Sequence, residues 1–221
     1  MKKNTRKLLG MFLLPAVLLS LNSCIGVSMD IQMRKDGSGR ISVEYRFSRA
    51  LESLGKLDGN EDWPPIPVGR EDLERSIERI DGIRLSSFST SEDRKDVIFK
   101  YTLDYDNTEA LLKYLDPSGN KVSLRTENQS GRFNFILNER PASGYDQNVL
   151  DMMKVMFDGY NFALSFSAEG NSTLTLTDGA GNAISPPDAV EIVPSGRRVS
   201  FSTGLMEVVS FTNGFGVNIS W

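Results

Sequence analysis

Apolar and polar side chains alternate strictly along much of the sequence after residue 26. They alternate at 27–33 and again at 41–47, on either side of a turn that contains Asp36 and Gly37. Because successive side chains of a strand point to opposite faces, this pattern predicts a β-hairpin with one buried face. Similar patterns predict further strands at 83–89, 97–105, 121–127, 132–138, 161–168, 172–177, 189–193, 198–203, 207–212 and 215–221.

Three segments have the period of a helix instead. In 71–82, apolar side chains recur at the spacing of one helical face, and a glycine ends the segment. A second helix is predicted at 107–115, with its cap at Asn107 or Thr108. A third is predicted at 145–160, where apolar side chains cover most of the helix circumference. These three segments are predicted to be the substantial helices of the protein.

The order of these elements indicates the fold class. Short connections between strands favour antiparallel pairing, and helices that interrupt the strand series pack on one face of the sheet. We therefore predict an α+β fold, with a mostly antiparallel, twisted sheet of about ten strands packed against about three helices. The α+β domain is predicted to span residues 24–170, and residues 171–221 form a β-rich C-terminal segment of the same domain.

The N-terminal segment differs from the rest of the chain. Residues 1–7 carry four basic side chains and no acidic one, and the 14 residues from Leu8 to Leu21 are uncharged. A membrane-spanning helix needs about 20 apolar residues, so a basic start and a short apolar stretch indicate a secretory signal peptide. Residues 1–23 are predicted to be this signal peptide.

The four residues Leu21, Asn22, Ser23 and Cys24 resemble the lipobox of bacterial lipoproteins. The resemblance implies that a signal peptidase recognises residues 21–23 and cleaves before Cys24. It also implies a diacylglyceryl group on the Cys24 sulfur and an N-acyl chain on the new amino group. Asn22 stands where Ala or Ser is commoner. The alternative is an ordinary secretory signal with an incidental cysteine, although a single thiol in an exported protein requires a reason.

Composition excludes several classes of function. Removal of residues 1–23 leaves 198 residues with 21 basic and 29 acidic side chains, a formal net charge of −8. This charge argues against nucleic-acid binding, which needs a basic surface. The chain has no histidine, and Cys24 is its one cysteine. No catalytic motif is recognisable, so we predict a protein that is not an enzyme and that has no metal site and no cofactor except the lipid on Cys24.

The predicted helix at 145–160 offers a candidate ligand site. Methionine is flexible and adapts to irregular apolar shapes, and three methionines lie within five residues of this helix. A pocket for a lipid or another apolar molecule is one interpretation, and a core helix that covers the sheet is the other. The candidate pocket residues are Val149, Met152, Met153, Met156 and Phe157.

Behind its lipobox, the chain resembles the LppM-type bacterial lipoproteins in three stretches: "MDIQMRKDGSGRISVEYRF", "REDLERSIERIDGIRLSSF" and "SGRRVSFST". The resemblance implies a lipid-anchored α+β domain that binds envelope lipids or glycolipids without catalysis. We therefore expect a lipoprotein of the bacterial cell envelope, anchored to a membrane, with its soluble domain in the periplasm or on the cell surface. The alternative is a structural or interaction lipoprotein whose partner is another envelope protein, as an assembly partner or a surface adhesin.

Overall fold

The computed structural model describes residues 25–48, 69–127, 130–139, 146–157, 159–211 and 213–221. The predicted signal peptide and Cys24 lie outside the described residues. Eleven strands and four helices follow one another in the described part of the chain: β1 (Ile25–Met33), β2 (Gly39–Ser48), α1 (Arg70–Ile77), β3 (Ile83–Glu92), β4 (Asp96–Tyr105), α2 (Thr108–Leu115), β5 (Val122–Glu127), β6 (Ser130–Asn138), α3 (Gln147–Phe157), β7 (Asn161–Ser167), β8 (Thr173–Thr177), β9 (Glu191–Ser195), β10 (Arg198–Gly204), α4 (Leu205–Ser210) and β11 (Phe215–Ser220).

The strands form two sheets. The seven-stranded sheet has the order β3-β4-β2-β1-β7-β10-β9, and the four-stranded sheet has the order β5-β6-β11-β8. Every pair of adjacent strands is antiparallel except β1 and β7, which are parallel. The α+β, mostly antiparallel prediction is confirmed. Strands after residue 170 enter both sheets, with β9 and β10 in the first and β8 and β11 in the second.

The hairpin of β1 and β2 forms as its sequence predicts. Gly37 has a φ of 78°, which the turn requires and which glycine adopts at little cost. The Asp36 carboxylate accepts a 3.0 Å hydrogen bond from the Ser38 backbone N–H and so closes the turn. Ile31 and Ile41 lie opposite each other on the buried face, and neither is exposed to solvent.

The two sheets pack face to face through aromatic rings. Phe166 of β7 stacks on Phe133 of β6 at a centroid distance of 5.5 Å, and Phe201 of β10 lies 6.1 Å from Phe215 of β11. Trp221, after β11, contacts Phe166 at 4.9 Å. All four phenylalanines are almost fully buried, so this interface is the centre of the aromatic core.

The other half of the seven-stranded sheet is covered by helices. Leu73 and Ile77 of α1 are buried, as the spacing predicts, and so are Ala110 and Leu111 of α2. The side-chain oxygen of Asn107 accepts a 2.9 Å hydrogen bond from the Ala110 N–H, which identifies Asn107 as the α2 cap. The three helices predicted from the sequence are confirmed.

The strand predicted at 207–212 is wrong, because residues 205–210 form α4. Here the chain leaves β10 in one sheet and must reach β11 in the other. The helix makes this crossing and buries Val208, whose carbonyl accepts a 3.2 Å hydrogen bond from the Asn138 side chain. Tertiary packing therefore overrides the strand preference of the β-branched residues. The strand predicted at 189–193 is shifted by two residues to Glu191–Ser195.

Candidate functional site

An open depression of about 570 Å³ lies at the C-terminal end of α3. Its volume falls within the range of about 300–1,000 Å³ that is typical of small-molecule sites. Residues from α3, the start of β7 and the start of α4 line it: Lys154, Phe157, Gly159, Tyr160, Asn161, Gly204, Met206 and Glu207.

Pairing between β7 and β10 brings these distant segments together. Asn161, the first residue of β7, lies opposite Gly204, the last residue of β10. The Leu205 N–H then donates a 2.8 Å hydrogen bond to the Tyr160 carbonyl, which fixes the start of α4 beside the end of α3. Gly159 has a φ of 75°, a conformation that glycine adopts readily, and allows the chain to turn from the helix into β7.

The lining combines apolar surface with charges of both signs. Phe157 and Met206 are half-buried and contribute apolar surface, whereas Lys154 and Glu207 are exposed. Lys154 pairs with Asp151 at 3.2 Å, and its hydrogen bond is the main reason that the pKa of the Asp151 carboxyl is lowered. Such a lining suits an apolar group that carries a polar head.

The first residues of β1 lie beside this depression. Ile25 pairs with Asn161 across the parallel β1–β7 ladder. The atoms around Gly26 are packed so tightly that an added Cβ would lie 2.8 Å from Leu205 Cδ1 and 3.0 Å from Tyr160 Cβ. A side chain at position 26 would therefore displace two residues at the edge of the site.

The predicted pocket residues fall in two groups. Phe157 lines the depression. Val149, Met152, Met153 and Met156 belong to α3, but their side chains lie outside the described part of the structure.

The sequence predicted only one of the eight lining residues, Phe157, and missed the other seven: Lys154, Gly159, Tyr160, Asn161, Gly204, Met206 and Glu207. The apolar character of α3 pointed to the region, but no local pattern could join it to residues 204–207. The strand pairing that joins them is a long-range contact.

A second depression of the same volume lies between α1 and β3. Glu74, Arg75, Glu78 and Arg84 supply half of its eight lining residues, and no aromatic side chain takes part. The other half of its lining is aliphatic, and the two depressions differ chiefly in the aromatic rings and Met206 at α3 and α4.

A buried tyrosine cluster lies between α2 and the seven-stranded sheet. The Tyr101 hydroxyl oxygen is 2.9 Å from that of Tyr45 and 2.5 Å from that of Tyr114. Burial, followed by the two neighbouring tyrosines, raises the pKa of Tyr101 far above its usual value, so the hydroxyl stays protonated. The cluster acts as a hydrogen-bond network of the core and supplies no nucleophile.

Two properties of the described residues bear on other kinds of site. No group of three or more acidic residues among them is placed to hold a metal ion. None of their helices is both long and apolar enough to cross a membrane.

No family model matches this sequence, and no curated protein matches it. Among solved structures, the chain is similar to the NMR structure of the folded domain of LppM from Mycobacterium tuberculosis. The two share 11% sequence identity over 83% of this chain and 91% of that one, with a TM-score of 0.35. The likeness is remote, and no residue role is transferred from it.

Proposed function

We propose that this chain is an exported bacterial lipoprotein that binds a lipid or another apolar molecule without catalysis. A diacylglyceryl group on Cys24 and an N-acyl chain hold it to a membrane of the cell envelope. Two or more acyl chains give stable attachment, since each buried methylene contributes about 0.8 kcal/mol. The soluble domain faces the periplasm or the cell exterior.

The depression at α3 and α4 is the observation that carries the binding proposal. It combines the apolar surface of Phe157 and Met206 with the exposed charges of Lys154 and Glu207. The flexible Met206 side chain can adjust to irregular apolar shapes, and the charges of the lining suit a polar headgroup. These features favour a ligand with an acyl chain.

A binding experiment tests this proposal. The processed chain, purified from membranes in detergent, is titrated with a fluorescent fatty-acid probe. Met206→Gln should weaken binding by about tenfold, because a lost apolar contact of about 1.4 kcal/mol corresponds to that factor. Val193→Gln is the matched control, since Val193 is 47% exposed on β9 and does not line the depression. Absence of probe binding, or equal weakening in both variants, would contradict the proposal.

A protein-interaction role is the second candidate, and the outward face of the seven-stranded sheet favours it. One row of paired residues crosses six strands there and carries mostly hydroxyl groups: Ser87, Thr102, Ser42, Asp30, Ser165 and Ser200. A polar surface of this kind suits hydrogen bonding to another protein. Cross-linking in cells that captures one stoichiometric envelope protein through this row, with no lipid bound, would favour this role.

A further inference from the structure

The first strand begins one residue after the proposed lipid attachment site. Consecutive Cα atoms are about 3.8 Å apart, so Cys24 cannot lie farther than that from Ile25. Ile25 is already paired with Asn161 of β7. A lipid on Cys24 would therefore be attached directly to the sheet, with no linker that lets the domain turn freely.

Strand register shows which residues share this end of the sheet. Ser48, at the end of β2, pairs with Asp96 at the start of β4, so the turn at 93–95 lies at the same end as Ile25. Gly204 pairs with Asn161, which places the start of α4 there too. We name this end the anchor pole, formed by Ile25, residues 93–95, Asn161 and residues 204–207.

The opposite end of the sheet carries different turns. It includes the β1–β2 turn, where Lys35 forms a 2.7 Å ion pair with Glu169. It also includes the β9–β10 turn, because Arg198 pairs with Ser167 and Ser167 pairs with Gln32 near the end of β1. We name this end, with its β1–β2 and β9–β10 turns, the far pole. Strands rise about 3.3 Å per residue, so the far pole lies roughly 25–30 Å from the anchor pole.

We propose that the anchor pole lies against the bilayer, with the strands of the seven-stranded sheet directed away from the membrane. The proposal rests on the lipid anchor at Cys24 that the proposed function includes. This pole exposes the basic Arg94 and Lys95 together with the acidic Glu92, Asp93 and Glu207, so the tether at Cys24, and not surface charge, directs it to the bilayer. The depression beside Ile25 then opens close to the membrane surface, and its ligand comes from the leaflet that holds the anchor.

Two exposed arginines at hairpin tips provide a matched pair of probes. Arg94 lies in the β3–β4 turn at the anchor pole, and Arg197 lies in the β9–β10 turn at the far pole. The variants Arg94→Cys and Arg197→Cys each add one thiol that can carry a fluorophore. The lipidated chains, purified from membranes after processing, are reconstituted in phosphatidylcholine–phosphatidylglycerol vesicles that contain a headgroup spin label, and the intact mass of each sample reports lipidation.

The label at position 94 should be quenched severalfold more strongly than the label at position 197. A lipidated protein in which both labels are quenched equally, or in which position 197 is quenched more, would overturn the orientation alone and leave lipid attachment intact. An unmodified thiol at Cys24 would overturn both the orientation and the anchor of the proposed function.

Discussion

The two halves of the seven-stranded sheet bury different kinds of aromatic side chain. Where β7 and β10 face the four-stranded sheet, the core is built from rings without polar atoms, such as the stacked Phe133 and Phe166. Where β2 and β4 face α2, the core contains the hydrogen-bonded hydroxyls of Tyr45, Tyr101 and Tyr114. We call these the phenylalanine half and the tyrosine half.

This difference indicates what each half depends on. The phenylalanine half depends on ring volume, because a removed ring leaves a cavity that rigid strands cannot fill. The tyrosine half also depends on complete hydrogen bonding, because a buried hydroxyl that loses its partner is destabilising. Removal of a whole ring should therefore destabilise the phenylalanine half most. Removal of a single hydroxyl oxygen should have its effect in the tyrosine half.

The largest effect is expected in the phenylalanine half. Phe166 is fully buried and contacts both Phe133 and Trp221, so Phe166→Ala should lower the free energy of unfolding by about 3–5 kcal/mol. Phe88→Ala is the control. Phe88 is only partly buried beside Phe99, so its removal should lower the free energy of unfolding by less. Urea unfolding followed by tryptophan fluorescence measures both. Equal losses in the two variants would contradict the central role of the ring stack.

A smaller effect is expected in the tyrosine half. Tyr101→Phe keeps the ring and removes the hydroxyl that lies between those of Tyr45 and Tyr114, so it should cost about 1–2 kcal/mol of unfolding free energy. Tyr105→Phe removes a single 3.0 Å hydrogen bond to the Gln32 carbonyl and should cost less. The same urea titration compares them, and a neutral Tyr101→Phe would show that the network adds no stability.

The smallest effect is a pH dependence at the turn between α2 and β5. The Asp116 carboxylate accepts hydrogen bonds from the Ser118 hydroxyl and from the backbone N–H groups of Lys121 and Val122. These bonds, the Ser118 hydroxyl first, lower the pKa of Asp116 below its usual value of 3.8.

The folded-state pKa of Asp116 is thus lower than the unfolded-state pKa. Its stabilising contribution is therefore fully present above about pH 5 and is lost as the pH falls through about 4 toward the lowered value. Asp116→Asn should flatten the loss of unfolding free energy between pH 6 and pH 2.5 relative to the unsubstituted protein, and Ser118→Ala should flatten it partly. A pH profile unchanged in both variants would contradict this account.

Local sequence patterns predicted most of the elements and none of the long-range pairing. Alternation of apolar residues around Asp36–Gly37 was sufficient for the β1–β2 hairpin, because both strands and the turn are adjacent in sequence. The parallel pairing of Ile25 with Asn161 joins strands separated by more than a hundred residues, and no local pattern encodes it. The helix at Leu205–Ser210 was mistaken for a strand because its conformation is set by the crossing between sheets.

The candidate site shows the same limit. The apolar character of α3 identified one wall, including Phe157, from the sequence alone. The opposite wall at Met206 and Glu207 depends on the β7–β10 register and on α4, a helix whose residues carry the local pattern of a strand. A site assembled from two strand ends becomes visible only once their pairing is known.

Photo-crosslinking tests the central claim, that this protein holds an apolar ligand in the depression at α3 and α4. Cells grown with a diazirine-bearing fatty acid are irradiated, and the full-length chain is purified and digested for peptide mass mapping. We expect adducts on peptides that contain residues 154–161 and 204–207, in addition to the lipid on Cys24. Adducts confined to the N-terminal peptide, or spread evenly over the surface, would contradict it.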